Sequence, residues 1–111
     1  MIIYKILKKA EFHELEKNGE SDGSPLDKLD GFIHFSTKEQ LSETLTKHFF
    51  QKSHLVLMAI DADKIIKHLK WEKSRNNKLF PHLYSNLKFD DALWFAPVEL
   101  VENRHILPPG I

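Results

Sequence analysis

The chain contains no cysteine. That excludes disulfide staples, thiolate zinc centres and a cysteine nucleophile, so stability must come from packing. Net charge is missing too: sixteen Lys and Arg balance sixteen Asp and Glu when histidine is neutral. No broad positive field is therefore available to hold a polyanion, and nucleic-acid binding through bulk charge is not expected. The longest apolar run, Leu55 to Ile60, falls far short of the roughly 20 residues of a membrane helix. The opening Met1-Ile2-Ile3-Tyr4-Lys5 also lacks the pattern of a secretory signal. The expectation is a soluble, cytoplasmic protein without a membrane partner. Dinucleotide-type Gly-x-Gly-x-x-Gly, the Walker loop, the Gly-x-Ser-x-Gly elbow and His-Glu-x-x-His are all absent, which removes several large enzyme classes. No metal is expected, although seven histidines are present.

What the chain does have is enough apolar material for one core. With 111 residues, 41% hydrophobic residues and eight phenylalanines, a single domain spanning 1–111 is the natural size. Residues 2–7 are rich in β-formers and predict a strand. Phe12 and Leu15 share a face of a short helix over 10–18, stopped by Gly19. From 18 to 30 the run NGESDGSPLDKLD concentrates turn formers and predicts a long loop, the best candidate for a lid. In GFIHFS, 31–36, alternation puts Phe32 and His34 on one face and Ile33 and Phe35 on the other. Ser36 or Thr37 then caps a helix, with Glu39 or Gln40 closing a capping box and Leu41, Leu45 and Phe49 forming an apolar stripe. HLVLMAI, 54–60, is apolar without alternation and predicts a central strand covered on both faces.

The second half is mostly β. After a short helix over 61–65, residues 70–73 predict a strand. Pro81 argues against a central ladder position, and the strand over 93–101 is expected to break near Pro97. The succession predicts an α+β domain with two main helices against a mixed, split sheet.

Polar residues stand out in LKWEKSRNNKLFPHLYSNL, 69–87. Glu72 can orient a hydroxyl or stabilise positive charge, and Arg75 can grip phosphate or carboxylate at two points. A solvated Glu72–Arg75 ion pair is the plainer alternative. His82 and Tyr84 face one side of an extended stretch and could stack a base, or could be polar groups satisfied at a core edge. His34, in a strand just ahead of a helix start, could serve as acid, base or stacking surface, or be structural.

Two stretches together, DGFIHFSTKEQLSETLTKHF and LKWEKSRNNKLFPHLYSNL, resemble the domain of unknown function 952 family. The likeness rests on Asp30 to His34, Ser36, Thr37, Gln40, Thr44, His48 and Phe49, then on Trp71, Glu72, Ser74, Arg75 and Leu79 to Tyr84. Asn76-Asn77 stand where the family favours Gly-Gly. More distantly, the order of elements is similar to that of the ADP-ribosyltransferase superfamily. That likeness implies Tyr4 or Lys5 at a first-strand position usually held by Arg or His, His34 to Thr37 at the second element and Glu72 as the catalytic glutamate. It implies an NAD-like nucleotide as ligand and chemistry at a ribosyl bond, as in a transferase or glycohydrolase. The resulting expectation assigns catalysis to Glu72 and His34, and ligand binding to Ser36, Thr37, Ser74, Arg75, His82 and Tyr84. The alternative is a noncatalytic peptide, protein or small-ligand binding module on the same fold.

Overall fold

A computed structural model describes all residues, 1–111. In chain order its elements are β1 (Ile2–Lys8), α1 (Lys9–Asn18), β2 (Glu20–Ser21), α2 (Pro25–Asp30), β3 (Ile33–His34), α3 (Leu41–His48), β4 (Leu55–Asp61), β5 (Leu69–Lys73), β6 (Leu79–Leu83), β7 (Leu87–Lys88), β8 (Ala92–Val101) and β9 (Arg104–Ile106). Short 3₁₀ turns join several of them. No helix is long and apolar enough to cross a membrane.

The strands form a main sheet in the order β1-β4-β8-β9, a smaller sheet β3-β6-β5 and the pair β2-β7. β4 lies between β1 and β8, and five of its seven residues are buried, which is why its sequence shows no polar alternation. Alternation on β1 and β4 separates two cores. Ile3, Leu7, Met58 and Ile60 pack with Phe12 and Leu15 of α1 and with Ile33 and Leu83 of the small sheet. Tyr4, Ile6, Leu55, Leu57 and Ala59 pack on the other face with Leu41 and Leu45 of α3. The two main helices thus cover opposite faces of one sheet, and the small sheet shares the α1 side.

The fold is α+β with a split sheet, but the expected mixture of parallel and antiparallel strands is corrected: every ladder is antiparallel. Parallel neighbours would need long crossovers, whereas β5 and β6, like β8 and β9, are joined by short turns. The expected loop over 18–30 is also corrected. It contains β2 and the one-and-a-half turns of α2, because Ser24 caps that helix by accepting from the Asp27 amide and Pro25 occupies its first turn.

Both prolines behave differently from the sequence expectation. Pro81 lies in β6, the middle strand of the small sheet. Its carbonyl accepts from Phe35 N–H at 3.0 Å, so its missing N–H faces that same side, where the β3 ladder has already ended at His34. The proline thus stands at the end of that ladder and not within it. Pro97 does not break β8, which runs from Ala92 to Val101 and has a ladder on only one side up to Val98; an edge tolerates proline. The irregularity lies instead opposite Ala59 and Ile60.

Leu57 has no exposed surface and sits mid-strand in the α3-side core. Leu57→Ala is expected to cost about 2–5 kcal/mol, read as a lowered urea midpoint at unchanged m-value.

Candidate functional site

One cavity of about 430 Å³ opens between β1, α2, α3 and the small sheet, and its lining includes Lys5, Asp27, His34, Ser36, Thr44, His48, Ser74, Arg75 and His82. The main sheet and the small sheet meet at its floor. Tyr4 and Ser36 exchange backbone hydrogen bonds of 2.8 Å in both directions, which sets β1 beside the end of β3.

Asp27 organises one wall. Its side chain is almost wholly buried. One oxygen accepts from Lys5 Nζ at 2.8 Å and from Ser24 N–H at 2.9 Å, and the other meets the backbone amide of His34 at 3.1 Å and its Nδ1 at 2.5 Å. Four donors occupy the roughly four lone-pair positions a carboxylate offers. Burial alone would raise the Asp27 carboxyl, yet the His34 hydrogen bond, the Lys5 charge and hydrogen bond and the Ser24 amide outweigh it and hold the group well below the usual carboxylate range. His34 Nε2 in turn lies 2.9 Å from Asp30 Oδ2. Both ring nitrogens therefore face carboxylates, and both contacts are hydrogen bonds only when both nitrogens carry hydrogen.

Arg75 organises the opposite wall. It sits in the 3₁₀ turn between β5 and β6, where Asn76 and Asn77 take φ of 54° and 63°. Asparagine is among the few side chains that tolerate this left-handed conformation. The guanidinium packs 4.8 Å from the Phe80 ring. Nη2 donates to Thr44 Oγ1 at 2.7 Å, and Thr44 Oγ1 lies 2.9 Å from Ser36 Oγ. Nη1 is 3.3 Å from Glu43 Oε1 but is buried without a well-formed hydrogen bond. His48, at the end of α3, is held below the usual histidine range by burial first, then by the charges of Arg75, Lys47, His34 and Lys5. Both effects favour its neutral imidazole form.

His82 joins this cavity to a second polar group. Its ring is buried, stacks on Phe32 with centroids 4.0 Å apart and lies 5.6 Å from the His34 ring. His82 Nδ1 is 2.9 Å from Glu72 Oε1, which also accepts from Tyr84 Oη at 2.6 Å. The bonds from Tyr84 and then His82 hold Glu72 below the ordinary range, and the same Glu72 bond raises the Tyr84 phenol.

Of the residues assigned from sequence, His34, Ser36, Ser74, Arg75 and His82 line the cavity, whereas Thr37, Glu72 and Tyr84 do not. Thr37 gives its amide to Gln40 Oε1 in a cap. Glu72 and Arg75 do not pair with each other; each has other partners. His34 and Glu72, 38 positions apart, are nonetheless connected through His82. The sequence expectation gave no site role to Asp27, Asp30, Thr44 or His48, and named Lys5 only as an alternative to Tyr4 at a first-strand position. Two signals were available: Lys5 interrupts an apolar strand, and Ser24-Pro25-Leu26-Asp27 has capping-box spacing.

Residues 6–95 match the model of a family described as a protein of unknown function, DUF952. No curated protein matches the sequence significantly. The crystal structure of protein CC0527 from Caulobacter crescentus is similar, with 40% identity, TM-score 0.90, and 95% of this chain and 92% of that one covered. The solution structure of CC0527 is similar at 40% identity and TM-score 0.83, covering 94% and 90% of the two chains.

Two outcomes follow from the Asp27 wall. Because its folded value lies below the unfolded one, Asp27 stabilises the protein fully above about pH 4 and loses that contribution as pH falls further. Asp27→Asn should cost about 3–5 kcal/mol at pH 7 by stranding Lys5, and chemical denaturation from pH 7 to 2 should show a flatter acid limb for the variant. Gly23 and Gly19 both have positive φ, but a Cβ at Gly23 would lie 2.5 Å from Asp27 Cβ while one at Gly19 meets nothing within 4 Å. Gly19→Ala should cost about 1–2 kcal/mol, the conformational term alone, and thermal melts should find Gly23→Ala clearly worse.

Proposed function

The chain belongs to the DUF952 family of proteins of unknown function, and from that premise we propose that its cavity binds a small phosphorylated, nucleotide-like molecule. The observation that carries this reading is Arg75: a guanidinium inside the cavity, with a buried Nη1 short of hydrogen bonds and two hydroxyls, Ser36 and Thr44, beside it. Phosphate oxygens suit that donor set, since a planar guanidinium binds them at two points and hydroxyls donate to them. The balance of charge agrees. Lys5, Lys8, Lys47, Lys52 and Arg75 line the cavity against Glu11, Asp27 and Asp30, and Asp27 and Asp30 are already engaged by Lys5 and His34. An anion is attracted there without any excess of positive charge over the whole chain.

The likeness to ADP-ribosyltransferases is the finer form of this reading, with NAD as the nucleotide and Glu72 and His34 as catalytic groups. Support comes from the pairing of Tyr4 with Ser36, which brings the first two elements of that arrangement side by side, and from the link from Glu72 to the cavity through His82. His34, Thr37 and Tyr84 keep the roles the likeness gives them only in this form. A noncatalytic binding module is favoured by a different observation: Glu72 does not line the cavity, so its carboxylate has no direct approach to a developing oxocarbenium ion there.

Titration calorimetry with NAD, ADP-ribose and AMP tests the proposal. At least one should bind, and Arg75→Ala should weaken it by about tenfold or more, the size expected for loss of charged hydrogen bonds. Failure of all of them to bind the unaltered protein would remove the nucleotide reading. Release of nicotinamide from NAD would separate the enzyme from the binding module.

A further inference from the structure

We propose that His82 is the hydroxyl-recognising residue of this cavity, presenting Nε2 as a hydrogen-bond acceptor to a sugar hydroxyl of the ligand, with Glu72 as the positioning residue that fixes its tautomer. The inference rests on the nucleotide reading and deepens it: the ligand is a phosphorylated ribose with free hydroxyls.

Glu72 sets the tautomer of the ring. Its Oε1 takes the Tyr84 hydroxyl at 2.6 Å and His82 Nδ1 at 2.9 Å. An ionised carboxylate only accepts, so Nδ1 must be the donor and carry the hydrogen. In the neutral ring the other nitrogen, Nε2, then holds a lone pair. Nε2 makes no hydrogen bond within the protein, and the ring lines the cavity while Glu72 does not. Rotation of the ring is opposed by the near-parallel stack on Phe32, at an interplanar angle of 21°. The side chain is only 5% exposed, and the unbonded Nε2 is not fully enclosed, which leaves it reachable from the cavity the ring lines.

The chemistry of the other lining groups makes this acceptor selective. Lys5 and Arg75 are donors only, the Asp27 and Asp30 carboxylates are already engaged by Lys5 and His34, and His48 is the other imidazole in the lining that could accept. Donors recognise phosphate; they cannot distinguish a ligand hydroxyl from a carbonyl or ether oxygen. An acceptor fixed in a buried ring can, because a ligand lacking the hydroxyl leaves it unpaired. Phosphate held at Arg75 and a hydroxyl held at His82 are the two ends of a ribose phosphate. Glu72 acts on the ligand only through the ring, which accounts for a carboxylate placed outside the cavity with two hydrogen-bond donors of its own.

The test compares AMP with 2′,3′-dideoxy-AMP by calorimetry and reads the His82 tautomer by ¹⁵N NMR of the imidazole. The unaltered protein should bind AMP about tenfold or more tightly than the dideoxy compound, and ligand-free His82 should show hydrogen on Nδ1. His82→Phe, which keeps an aromatic ring against Phe32, should bind the two compounds equally, and Glu72→Ala should lose the Nδ1–H signature. Hydrogen on Nε2 in the unaltered protein overturns the proposal, and so does equal binding of AMP and its dideoxy form, while the nucleotide reading survives either result. If neither compound binds, nor NAD nor ADP-ribose, both fall together. Should His82→Phe fail to fold, the two measurements on the unaltered protein still decide.

Discussion

One buried carboxylate holds together the parts of the molecule that matter most for the site. Asp27 receives Lys5 from β1, the Ser24 amide from the start of α2, and both the amide and ring of His34 from β3. Taking a carboxylate and an ammonium out of water is costly, and their attraction offsets that cost only when every lone pair finds a donor. Here each oxygen has two. The arrangement contributes little that an apolar cluster of the same size could not, but it permits only one relative placement of three elements. Gly23 belongs to the same constraint: its missing side chain leaves the space that the Asp27 side chain fills.

Placement rather than bulk energy is what the cavity needs from its walls. The hydrophobic cores on the two faces of the main sheet would form with many polar arrangements at their margins, but a ligand-sized hollow needs its charges at fixed positions. Asp27 fixes the Lys5 and His34 wall. Packing on Phe80, with the bond to Thr44, fixes Arg75 on α3 and on the small sheet at once. Between these walls positive charge is concentrated although the whole chain is neutral. Net charge is a property of the sequence; the field in a cleft depends on which carboxylates are already paired.

Much of the frame was legible from residues alone. The unalternating apolar run of β4, Gly19 after α1, and the Leu41–Leu45 stripe each encode a local rule that tertiary packing reinforces. Pro81 departs from expectation because the rule for proline in a ladder concerns which side the missing N–H faces, and that depends on where β3 ends, 47 positions earlier. Residues 18–30 differ from expectation for a related reason: the spacing from Ser24 to Asp27 makes a helix cap out of a run of turn formers. Of the residues that line the cavity, His34, Arg75 and His82 stand out in the sequence by their chemistry, and Ser36 and Ser74 by motif likeness. Asp27 is buried in a segment that looks solvated and Lys5 is one charge in an apolar strand, and each accounts for the other's burial.

His82 shows why the difference between touching a cavity and acting on it matters. Lys70, the residue opposite it on β5, lies 4.9 Å above the Tyr84 ring, so the face behind His82 carries its own sequence of cation, phenol and carboxylate. This group is more exposed than the cavity and does not open into it. Were Glu72 required to meet a substrate, that solvated position would weaken its electrostatic effect, since water competes for the charge. Acting through a buried imidazole removes the difficulty. The carboxylate keeps its hydration and its phenol partner, and the ring carries only the consequence, one nitrogen with hydrogen and one without, to the side where a ligand would lie.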